Sequence, residues 1–172
     1  MGEAIEAAIA EENWVLARRL INRELRRTPN DHWLLTRLSL THYEQRNYKQ
    51  ALKLGERAID LAPRCPLVLW DYAGTLDMLG RTAEAIRIYQ KIIRRGADSL
   101  AHGECGEGMA WARGMLADCY YRMGLCYGDR GNRSSATAAL RKHLSLRGPG
   151  CRSIYDIKTA RKHLAAMRKL AG

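Results

Sequence analysis

The chain has 172 residues, 47% of them hydrophobic, with 29 Lys and Arg against 18 Asp and Glu for a formal net charge of +11. That length suits one domain or a short repeat array. No stretch is apolar for long enough to span a membrane, and the opening MGEAIEAAIAEENW lacks the basic-then-greasy order expected of a secretory signal.

Five cysteines (Cys65, Cys105, Cys119, Cys126 and Cys151) are odd in number and scattered. This argues against a disulfide framework and points to a cytoplasmic setting.

In chain order, residues 1–31 contain EENWVLARRLINRELRRTPN, one helical pattern closed by Pro29. Residues 32–65 hold two helical patterns, LLTRLSLTHYE and YKQALKLGERAIDL, joined at RN and closed by Pro63. Residues 66–97 repeat the arrangement with LVLWDYAGTLDML and TAEAIRIYQKIIRR around GR, ending at Gly96. Ala17, Ala51 and Ala85 fall 34 residues apart, as do Pro29 and Pro63; Ala136 follows Ala85 by 51, one and a half periods. Gly80 and Gly131 supply the positive φ of the inter-helix turns. Small residues are expected to face each other within a pair, Ser39 with Ala51, Ala73 with Ala85 and Gly124 with Ala136, so that the helices approach closely.

Residues 98–116 break the period with SLAHGECGEGMAWARGML. His102 and Cys105 are three apart, which raises the question of a nucleophile or a metal site. No partner acid fixes the pair, and the flanking glycines weaken a helix. Zinc wants four ligands, and neither a Cys-x-x-Cys nor a His-x-x-x-His pair is present. No catalytic residue, metal or cofactor is therefore expected. The expected alternative is a loop at SLAHGECG followed by a lengthened first helix of the fourth unit, residues 117–150, with Trp111 as a wall beside the binding stripe. The closing segment, residues 153–170, reads as a capping helix. Ser153 and Asp156 form its starting box, Ile157, Ala160, Leu164 and Met167 its apolar stripe, and Lys158, Arg161, Lys162, Arg168 and Lys169 its outer side.

This pattern resembles the tetratricopeptide repeat (TPR) family. Its period is 34 residues, with a small residue at column 8, Ala at 20 and Pro at 32. Ser39, Ala51 and Pro63 fit the second repeat, Ala73 and Ala85 the third, and Gly124 and Ala136 the fourth. Glu6 at column 8 and Glu24 and His143 at column 27 depart from it. The resemblance implies an all-α, right-handed α-α superhelix (a TPR solenoid) with a C-terminal capping helix, over residues 1–172 as a single domain. It also implies a concave groove lined by columns 2, 5, 9 and 12 of each leading helix. Here those columns hold Trp33, Thr36, Leu40 and Tyr43, then Leu67, Trp70, Gly74 and Asp77 beside Asp71, then Asp118, Tyr121, Leu125 and Gly128 beside Arg122.

Packing between repeats would account for the rings of this stripe; a groove floor accounts for them as contact surface. The Lys and Asn that clamp a carboxylate in one branch of the family are replaced by Thr36 and Leu40. Acidic Glu44, Asp71, Asp77 and Asp118 instead favour an apolar peptide segment with basic flanks. The expected role is a protein–protein interaction module, an adaptor, chaperone-like holder or assembly scaffold, and no enzyme. The alternative is nucleic-acid or anionic-surface binding through the arginines of the trailing helices, the family's convex face.

Overall fold

A computed structural model describes residues 2–169. Residues 1 and 170–172, and with them the end of the expected capping helix, lie outside the described residues, as do the side chains of Arg168 and Lys169. The described chain is all-α. In order its helices are α1 (Gly2–Ala10), α2 (Trp14–Leu25), α3 (His32–Glu44), α4 (Tyr48–Leu61), α5 (Pro66–Met78), α6 (Thr82–His102), α7 (Met109–Asp129), α8 (Arg133–Leu146) and α9 (Ile157–Lys169). Two compact units emerge, Met1–Gly80 and Arg81–Gly172.

The turns follow one rule. A residue with left-handed backbone ends each leading helix: Glu12 (φ 53), Arg46 (φ 59), Gly80 (φ 77) and Gly131 (φ 75). These positions keep the alanine spacing of 34, 34 and 51, so the turn is part of the repeat even where no glycine marks it. In three of the four turns an asparagine follows and caps the next helix. Asn13 accepts from Leu16 N at 3.1 Å, Asn47 from Gln50 N at 3.4 Å and Asn132 from Ser135 N at 3.1 Å. The side-chain oxygen satisfies one of the backbone N–H groups a helix start leaves unpaired. In the fourth, Arg81 makes no such bond and instead pairs with Glu84 at 2.7 Å.

In the first unit α1 packs on α2, α2 on α3, and α3 and α5 both on α4 as well as on each other. Ala17, Ala51, Ala58 and Ile21 are wholly buried. Ser39 meets Ala51 as expected, its hydroxyl donating to the Ala51 carbonyl at 2.9 Å. Gly55 leaves room for the Tyr72 ring, which would lie 3.0 Å from an added Cβ.

In the second unit α6 packs on α7, α7 on α8, and α8 on α9. Ala85, Ala136 and Leu140 are fully buried. Gly124 is the tightest approach of the pair, since a Cβ there would meet Leu140 Cγ at 2.7 Å. His143, the departure at column 27, is also fully buried. Its Nδ1–H donates to the Ala117 carbonyl at 2.8 Å, and burial lowers its pKa, so a neutral imidazole fills the place of alanine.

Two local expectations change. The helix expected to end at Gly96 bends there (φ 73) and resumes to His102, so the loop shrinks to residues 103–108. The capping helix begins at Ile157, not Ser153. Asp156 alone caps it, accepting from Thr159 N at 2.8 Å, because the Ser153 hydroxyl is engaged elsewhere.

Candidate functional site

The first unit carries the stripe of α3 and α5. Trp33, Leu40, Tyr43, Leu67, Trp70 and Asp77 are half-buried, whereas Thr36 is buried and returns its hydroxyl to the His32 carbonyl at 2.7 Å. Thr36 is thereby a helix-internal residue rather than a contact. Trp33 stands over the Arg37 guanidinium at 5.5 Å, and Arg37 is held by Glu6 of α1 at 2.6 Å. Glu6, the departure at column 8, thus orients a cation against an aromatic face. Tyr43 leans edge-on against Tyr48 of α4 at 5.5 Å.

Asp71 is the most unusual group of this face. Part of the residue reaches the surface, yet its Oδ2 is sealed from solvent and lacks a hydrogen-bond partner. Burial raises its pKa to about 7; Arg37 opposes that shift, and Glu44 and Glu6 add to it. A carboxyl in this state shares its proton with solvent near neutral pH, and a further cation would favour its anionic form. In the same unit, Ile9, Ala10, Glu12, Trp14, Leu40 and Glu44 line a cleft of about 400 Å³. Glu12 and Trp14 were not foreseeable from the groove columns, because they come from the turn between α1 and α2.

The stripe of α7 is a different matter. It was expected to be open, but Asp118 is 4% and Tyr121 3% exposed. The chain's own C-terminal segment covers them. The Ser153 hydroxyl donates to Asp118 Oδ1, and Ile154 N donates to Asp118 Oδ2 at 3.0 Å. Burial raises the Asp118 pKa to about 6 against the pull of those two donors and Arg147. Tyr121 stacks on Tyr155 with centroids 4.1 Å apart, and its hydroxyl lies 3.0 Å from His163 Nδ1. Leu125 joins the same cluster with Leu164 and Met167. Arg122 turns to the Tyr89 hydroxyl of α6, whose pKa burial drives upward and Arg122 moderates. Trp111 is half-buried two turns ahead of Asp118.

In the interruption, His102 is exposed and points back along its own helix, 3.2 Å from the Asp98 carbonyl and 3.4 Å from Asp98 Oδ1. Cys105 takes a left-handed backbone (φ 57).

Residues 42–103 match a tetratricopeptide repeat family model and residues 117–148 match a second, together more than half of the chain. The chain belongs to the tetratricopeptide repeat family. No curated protein matches it.

Among solved structures, the TPR chain is similar to TTC0263, a thermophilic TPR protein in Thermus thermophilus (TM-score 0.72, 19% identity, covering 99% of this chain and 80% of that one). It is also similar to BtubC from P. vanneervenii (TM-score 0.76, 16% identity, 98% and 70%) and to MamA from Desulfovibrio magneticus RS-1 (TM-score 0.66, 15% identity, 98% and 92%). At such identities the likeness is one of fold. As a TPR protein the chain is a protein–protein interaction or scaffold module. No described helix is long and apolar enough to cross a membrane.

On the α7 face of the TPR chain, the residues that the repeat columns do not index are Arg147, Ser153, Tyr155 and His163. They lie outside the leading helices that the pattern indexes, and the only local signal at Ser153 pointed to a helix cap.

Proposed function

We propose that the first unit binds a peptide segment of another protein along α3 and α5, as an adaptor, chaperone-like holder or assembly scaffold in the cytosol. The observation that carries this reading is the half-buried pair Trp33 and Trp70 together with Asp71, whose Oδ2 is buried without a hydrogen-bond partner. Aromatic rings contribute large contact area at low entropic cost. Asp71 and Glu44 favour Lys or Arg next to the apolar anchor, and a cationic flank would complete the charge of Asp71. The preferred ligand is thus apolar with basic flanks.

The test is a peptide array followed by titration of the best apolar–basic peptide against wild type and a Trp33→Ala, Trp70→Ala double variant at two salt concentrations. The double variant is expected to lose at least tenfold affinity, about 1.4 kcal/mol, at both. Selection of acidic C-termini by the array, together with stronger binding of them by Asp71→Lys, would overturn the reading.

A further inference from the structure

The contacts between α7 and residues 152–155 have the form of recognition as well as packing. Arg152 N donates to the Ala110 carbonyl at 3.0 Å, and Gly114 one turn on has no side chain, so the Arg152 carbonyl sits where a Cβ would be. Asp118 then takes the Ser153 hydroxyl with one oxygen and the Ile154 amide with the other. Arg147 of the α8 C-terminus donates to Ser153 Oγ at 2.6 Å and to the Tyr155 carbonyl. Tyr121 receives the Tyr155 ring face to face. Between the two residues so held, Ile154 is 73% exposed.

Asp118 and Arg147 therefore take the main chain and the hydroxyl between them, Tyr121 takes the aromatic ring two residues later, and the intervening side chain is left in solvent. A helix cap whose task was apolar cover alone would do the reverse, burying the isoleucine and leaving the serine to solvent.

From this geometry we infer that α7, with Arg147, is a receptor face for a hydroxyl–any–aromatic segment (Ser or Thr, any residue, Tyr or Phe) of a partner protein, and that the chain's own Ser153-Ile154-Tyr155 is its resident competitor. The inference needs α7 to be a ligand face. It does not need the α3–α5 face of the first unit, so the two readings fail separately.

The probe is a fluorophore-labelled peptide spanning residues 150–158 of this chain, added to the full chain. Wild type binds it weakly, because the face is occupied. A Ser153→Ala, Tyr155→Ala variant, checked for native helicity by circular dichroism, is expected to bind it at least tenfold more tightly. Adding Asp118→Ala, or replacing the peptide's own Ser and Tyr by Ala, removes that gain.

A second measurement uses wild type alone: excess unlabelled peptide accelerates hydrogen exchange at the Ile154 amide, which Asp118 holds in the closed state. No gain in the double variant, a gain indifferent to Ser and Tyr in the peptide, or Ile154 exchange unmoved by peptide would each reduce the segment to a structural cap and overturn the inference.

Discussion

Arg46 bears a steric cost that Gly80 and Gly131 avoid, since its Cβ sits in a left-handed turn at φ 59. Nothing in the sequence marks that position, because an asparagine cap follows it as readily as it follows a glycine. Arg46→Gly is expected to raise stability by about 1 kcal/mol, the gain being limited by the extra freedom glycine has when unfolded. Urea denaturation reads it as a higher midpoint at unchanged slope.

Asp71 gives the pH counterpart. Its folded pKa of about 7 lies above the ordinary 3.8. The folded state therefore holds a proton that the unfolded state has released between those values, and stability falls as pH rises across that window. Asp71→Asn is expected to flatten the decline between about pH 4 and 7. In binding the sign reverses: wild-type affinity for a basic-flanked peptide rises with pH through about 7, and the asparagine variant shows no such rise.

At the scale of the element, the helix pairs were legible because close packing needs small residues, and these recur in phase with the turns. Ala51, Ala85 and Ala136 are all fully buried. The α7 stripe was legible as a stripe but not as a covered one. Asp118 and Ser153 stand 35 residues apart, and Ser153 three residues before Asp156 gives a local signal for a cap. The long-range carboxylate won that hydroxyl, and the cap passed to Asp156 with the helix starting at Ile157. Loss of a cap should then cost the helices that really use one. Asn132→Ala is expected to destabilise the second unit by about 1 kcal/mol. Ser153→Ala should leave the helicity of α9 unchanged, which far-ultraviolet circular dichroism can check in both variants.

For the molecule as a whole, the excess charge is shared between α9, rich in Lys and Arg without an acid, and the trailing helices, where Arg19, Arg23, Arg57, Arg87, Arg94 and Arg141 are exposed. Cations so displayed would hold polyanions by counterion release alone. We expect nucleic acid to be retained at low salt and released at moderate salt, without sequence preference, and to the same extent by the Trp33→Ala, Trp70→Ala variant. A mobility shift that survives salt, or that the tryptophan variant abolishes, would contradict this.

The link from Arg147 to Ser153 has a kinetic meaning as well. Only five residues, among them Gly148, Pro149 and Gly150, separate a group of the receptor face from the segment it holds. A tether that short presents its own end at an effective concentration on the order of millimolar. A free partner at cellular abundance loses that contest unless it docks elsewhere on the protein at the same time. At cellular abundance α7 would then favour ligands that engage two places at once, while those that carry the short motif alone displace the segment only in large excess.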